Sequence, residues 1–209
     1  MISQRAVGAG LVVALVMLMV MSMSALALVR AVSTSVLVAG NFAFRQAAVM
    51  AAEAGSEAAI VWLTARALLT DLYSDQPKQG YYASLPDGLD ISGSAPAGTK
   101  VAIDWDKDQC NSLSAVTCVS ASPETTEDAA GQVIQYVIHR LCRSAGSPQD
   151  SANSCLLYRE SSQVSPKKGQ FSYGASSRFK TDSAVYYRIT TRVRGPRNTV
   201  VFVQTLVHF

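Results

Sequence analysis

The sequence predicts an α+β protein in which one long N-terminal α-helix packs against a C-terminal antiparallel β-sheet. Three observations predict it. Residues 6–29 carry no charged side chain and lie between Arg5 and Arg30. Residues 31–72 contain no proline, have glycine only at 40 and 55, and are dominated by Ala, Leu, Val and Glu, which is strong helix-forming material. Beyond the SDQPKQGYY stretch at 74–82 extended patterns take over, and the chain closes on two alternating runs, the mark of a half-buried sheet.

As a helix, residues 6–29 would be roughly 36 Å long, enough to cross a bilayer core. A secretory signal is the rival reading. Arg5 supplies the basic start, and Ser24 to Ala27 (SALA) supplies a small-residue cleavage site after Ala27. Against it, the apolar run is long and no helix breaker precedes the site. Helix-forming sequence then continues without a turn signal. Leu37, Phe44, Ala48, Ala52, Gly55, Ala59, Trp62 and Leu69 recur at three, four or seven residues and so fall along one side. Arg45, Glu53, Glu57 and Arg66 keep this second half out of lipid. The expectation is one continuous helix of about sixty residues, with a membrane half at 9–30 and an amphipathic half at 31–72. The Pro77 region ends it.

The remaining 73–209 reads as one small domain. The net charge of +3 is small and its basic residues are scattered, which argues against nucleic acid as a partner, since phosphate binding needs a dense basic face. Cys110, Cys118, Cys142 and Cys155 form no Cys-x-x-Cys pair. An even count after an export element predicts two disulfides in an oxidising compartment. The sequential pairing, Cys110–Cys118 and Cys142–Cys155, is favoured because each bridge would staple a short polar loop, and the crossed pairings stay open. Such loops are the expected partner-facing surface.

Extended signals fall at KVAIDW (100–105), QVIQYVIHRL (132–141), AVYYRITTRV (184–193) and NTVVFVQTLV (198–207), the last two joined by the RGPRN turn. In the third run Val185, Tyr187, Ile189, Thr191 and Val193 alternate with Tyr186, Arg188, Thr190, Arg192 and Arg194. One face is apolar, to be covered by the helix, and the other is basic and polar, the pattern of a sheet covered on one side. With Arg197, Arg188, Arg192 and Arg194 make a basic strip whose ordinary reading is a solvated strand face.

Candidate chemistry is thin. Asp104, Asp106 and Asp108 stand at alternate positions, as calcium ligands do, but an EF-hand loop would want Gly and Glu where Gln109 and Ala115 stand. An acidic solvated loop is the ordinary reading, and no metal or other cofactor is expected. His139 and His208 lack a Gly-x-Ser-x-Gly elbow to serve and read as structural, so no enzyme is expected.

Two stretches carry a family resemblance. VGAGLVVALVMLMVMSMSALALV followed by VAGNFAFRQAAVMAAEAGSEAAIVWL resembles the N-terminal helix of the PilX-type minor pilins of type IV pili. The specific features are Ala39-Gly40-Asn41, Arg45, Ala52 to Gly55, Ala58-Ala59 and Trp62-Leu63. The closing YYRITTRVRGPRNTVVFVQTLV is similar to that family's last strands, whereas residues 72–131 are covered only loosely. The resemblance implies a pilin-like fold and a leader, 1–8, removed by a prepilin peptidase after Gly8 to leave N-methylated Ala9. Gly10 is the competing site. Most pilins place glutamate at the fifth mature position, where this chain has Val13. That acid is also missing from the K-type pseudopilins of type II secretion, which resemble tip subunits.

The implied function is that of a minor pilin in type IV pilus assembly, a priming or tip subunit that supports a tip adhesin. The implied partners are other minor and major pilins, the inner-membrane assembly platform, the prepilin peptidase and the adhesin. The implied location is the inner membrane, single-pass with the C-terminal domain periplasmic, and then the extracellular pilus. A type II secretion pseudopilin is one alternative, and a secreted or anchored binding domain is the other.

Overall fold

The computed structural model describes residues 6–67, 69–95, 97–111, 113, 117–125, 127–128, 130–159 and 183–209. Two compact units divide the chain, Met1–Gln46 and Ala47–Phe209, and the division falls inside helix α1, Ala6–Thr64.

In the first unit α1 is a regular helix whose large apolar side chains, from Leu11 to Phe42, stand exposed. Its hydroxyl side chains are satisfied locally. Ser22 donates to the Leu18 carbonyl and Ser24 to the Val20 carbonyl, each at 2.8 Å. Ser33 and Thr34 bond back four residues in the same way. A hydroxyl bonded to its own helix costs little in hydrocarbon, so these residues are compatible with a membrane half. The helix is long and apolar enough to cross a bilayer by length and composition.

In the second unit the rest of α1 lies on a sheet. Among the described residues eight strands follow the helix: β1 Tyr81–Tyr82, β2 Leu89–Asp90, β3 Val101–Asp104, β4 Thr117–Ser120, β5 Val133–Arg140, β6 Leu157–Arg159, β7 Ser183–Gly195 and β8 Thr199–His208. The main sheet is built on β7. It pairs antiparallel with β5 along one side, from Val133↔Arg194 to Arg140↔Tyr187. On the other side it pairs with β8, from Tyr186↔His208 to Gly195↔Thr199. β6 continues the β5 side past its end, and β1 joins β5 in parallel. The RGPRN turn closes the β7–β8 hairpin through a short 3-10 turn, Pro196–Asn198.

The helix face of this sheet is the one the alternation predicts. Val185, Tyr187, Ile189, Thr191 and Val193 are all buried, against Ala48, Ala52, Ala59 and Leu63 of α1. Small residues let the helix approach closely. A Cβ on Gly55 would stand 2.5 Å from Ile134 Cγ2 and 2.7 Å from Thr191 Cγ2. Beside it Ser56 Oγ and Thr191 Oγ1 share a buried hydrogen bond of 3.1 Å.

Four expectations need correction. First, the α-helix ends at Thr64, short of the expected residue 72. The Arg66 N–H bonds the Leu63 carbonyl and the Leu69 N–H bonds the Arg66 carbonyl, so the chain tightens and then forms a 3-10 turn, Thr70–Tyr73. Packing overrides propensity here. Leu72 is drawn into the core at 2% exposure, and its carbonyl accepts the Tyr81 hydroxyl at 2.6 Å. Second, Leu37 and Leu69 are 66% and 50% exposed, because the buried stripe is confined to residues 48–63 and shifts onto Ser56 and Leu63.

Third, the strands are not all antiparallel. KVAIDW supplies β3 of a separate three-stranded parallel sheet, β2–β3–β4. Fourth, this small sheet covers part of the face expected to be solvated. Ile103, Trp105 and Val119 pack there with Tyr82, Val137 and Phe202, so Thr190 and Arg192 are buried too. The sequence between β1 and β4 carries no long apolar run, which hid this second layer.

Gly80 ends the second 3-10 turn, Pro77–Gln79, at φ +67°. A Cβ there would also strike the Ser122 amide nitrogen at 2.6 Å and the Tyr136 carbonyl at 2.8 Å, so the position is held to glycine twice over.

Candidate functional site

Gly8, Ala9 and Gly10 lie within the backbone span of α1, whereas residues 1–5 of the expected leader are outside the described residues. Val13 is 54% exposed on this helix. No acid precedes Glu53 in the chain, so the sequence of the first unit offers Arg5, Arg30 and Arg45 and no side-chain carboxylate. SALA lies in mid-helix without a break.

The cysteines pair as Cys110–Cys118 and Cys142–Cys155. The first bridge ties the β3–β4 crossover back to β4. The second closes a polar loop beside a shallow groove of about 730 Å³, lined by Leu85, Pro86, Asp87, Leu141, Arg143 and Leu156 among others. Leu156 is 53% exposed on its rim.

The three aspartates do not converge. Asp104 is buried and accepts the Asp108 and Gln109 amides at 3.1 and 3.0 Å. Asp108 accepts the Cys110 amide at 2.8 Å, so the two carboxylates shape the turn that presents the disulfide. Asp106 instead meets Arg192 at 2.8 Å and Arg194 at 3.8 Å. Among the described residues no three His, Cys, Asp or Glu side chains are grouped to hold a metal ion.

The basic strip resolves into different roles. Arg192 lies over the Trp105 ring and is paired with Asp106, and Arg194 also reaches Glu124 at 3.5 Å. Arg188 has no such partner among the described residues. It is half-buried, its Nε is sealed without a hydrogen-bond acceptor, and desolvation holds its pKa below the ordinary value. The side chain of Arg197 lies outside the described residues.

His139 sits directly opposite Arg188 in the β5–β7 register. It is fully buried, stacks on Tyr82 with centroids 5.4 Å apart, and makes no hydrogen bond through either ring nitrogen among the described residues. Burial, with the neighbouring Arg188 charge second, lowers its pKa to about 3. A neutral imidazole without hydrogen-bond partners is packing, not a catalytic base. His208 is exposed and stacks on Tyr158 at 4.3 Å.

One residue had no signal in the sequence. Arg140 ends β5 at 0% exposure, where composition rules would place a solvated side chain. Its Nε donates to the Ala83 carbonyl at 2.9 Å and its Nη2 to the Gly146 carbonyl at 2.7 Å. It therefore ties the β1 segment and the loop of the second disulfide to the core.

Residues 8–57 match the family model described as PilX N-terminal. No curated protein and no solved structure matches the chain.

Proposed function

We propose, from the match of residues 8–57 to the PilX N-terminal family model, that the chain is a minor pilin of the PilX type, a structural and non-enzymatic protein acting in type IV pilus assembly. The observation that supports this most is the continuity of α1. One helix holds the matched apolar run and also supplies Ala48, Ala52, Ala59 and Leu63 to the core of the folded domain. Such a helix serves first as an anchor and later as a filament strut, exchanging lipid for the sides of similar helices.

In this reading residues 1–8 are the leader, Ala9 begins the mature chain, and residues 9–30 hold it in the inner membrane with the domain on the periplasmic side. Type IV pilins, the assembly platform, the prepilin peptidase and a tip adhesin are its partners, met through the loops of the two disulfides. The absence of an acid at Val13 supports a position at or near the tip. A carboxylate in lipid costs about 2–4 kcal/mol unless paired, and a tip subunit lacks one neighbour to pair with.

Gold labelling of purified pili tests the placement. Label at one end of each filament is expected, and label spaced evenly along the shaft contradicts it. The missing acid at Val13 equally fits a type II secretion pseudopilin, and pili lacking the chain altogether would favour that role.

A further inference from the structure

Among the described residues the longest open strand edge belongs to β8. Among the described residues its only strand neighbour is β7. The Val185 N–H donates toward β8, to the Phe209 carbonyl, whereas the Tyr186 N–H donates the other way, to the Leu156 carbonyl. Strand alternation and the antiparallel register then turn the odd-numbered residues of β8 toward β7. Val200, Phe202, Gln204, Leu206 and His208 therefore direct their amides and carbonyls at the open edge. Natural edges are blunted by lysine, proline, bulges or short length. This strand has none of these: TVVFVQTLVH is ten residues long and carries no Lys, Arg, Asp, Glu or Pro.

Both faces of that edge are unfinished. On the helix side Val201, Val203 and Val207 pack against the core but are only partly buried. On the other side Val200 and Leu206 are 39% and 60% exposed. Arg188, opposite Leu206 in the register, is the arginine whose guanidinium has no acid among the described residues, while Arg192 and Arg194 have theirs.

We propose that β8 is a docking edge that accepts an extended segment of another protein as an added strand. The segment carries apolar side chains on the helix side and a carboxylate on the other, set against Arg188. A second copy fits less well. A second β8 edge carries no Asp or Glu to set against Arg188. This goes beyond the assembly reading and is tested by peptide binding without any filament, so it can fail while that reading stands.

The test uses the full chain, ¹⁵N-labelled in detergent micelles. The probe is a capped nine-residue peptide of valine alternating with threonine, with glutamate replacing one central threonine. Saturating peptide should slow hydrogen exchange at the amides of Val200, Phe202, Gln204, Leu206 and His208 by roughly tenfold or more. Arg188→Gln should weaken the glutamate peptide roughly tenfold, without changing the affinity of a glutamine control. Leu206→Pro, which removes one outward N–H from an exposed residue, should abolish binding of both peptides. If that variant does not fold, the exchange pattern of the native chain decides alone. Unchanged exchange at the outward amides overturns the proposal. So does equal affinity for the two peptides, or protection that rises with protein concentration in the absence of peptide.

Discussion

At Gly55 the balance between two opposing effects sets the sign of a substitution. Alanine would gain about 1 kcal/mol of helix propensity, but its methyl would meet Ile134 and Thr191 inside contact distance. Overpacking of this kind costs about 1–3 kcal/mol. Gly55→Ala is therefore expected to lower the unfolding free energy by about 1 kcal/mol, read by urea titration. Arg140→Met keeps most of the volume but leaves the Ala83 and Gly146 carbonyls without their donor. A loss of about 3 kcal/mol is expected in the same assay.

His139 makes the domain acid-sensitive. Unfolded, it binds a proton near pH 6.5, and folded only near pH 3. Between those values the unfolded state holds more protons, so stability falls as pH falls. The His139 contribution is complete above about 6.5 and is lost at up to about 1.4 kcal/mol per pH unit below it. Comparing native chain and His139→Phe at pH 7 and pH 5 checks this. The native chain should lose more stability over that interval.

At the scale of elements, the two disulfides stabilise chiefly by limiting the unfolded chain. Replacing Cys142 and Cys155 by serine opens a loop of sequence separation 13 and should cost about 3 kcal/mol, seen as a lower urea midpoint. How far each element was legible depended on whether its signal was local. The β7 alternation was read correctly on its helix face because period-two burial of Val185, Tyr187, Ile189, Thr191 and Val193 needs only one covering layer. The other face was misread because the layer over Thr190 and Arg192 comes from strands of two to four residues, of which only β3 carried an extended signal, and nothing local assigned it to a second sheet. The apolar run of the helix was legible from the absence of charge. Its end was not, since Leu72 leaves the helix for a core shared with Ile138 and Ile189, far along the chain. Arg140 and the unpaired state of Arg188 were invisible for the same reason, because partners across the sheet do not show in a linear pattern.

For the whole molecule, the account turns on what the first thirty residues become. The domain supplies a sheet on which α1 is seated through small side chains, and the same helix carries the stretch matched by the PilX N-terminal model. If the chain is a pilin, its apolar run must survive into the mature protein and lose only the residues before it. Mass spectrometry of the mature N-terminus, on protein isolated from its native membrane, tests this most directly. The account predicts a chain that begins at N-methylated Ala9. A chain beginning at Leu28 would make the run a discarded signal, an intact Met1 would make it a simple anchor, and either would contradict the assignment.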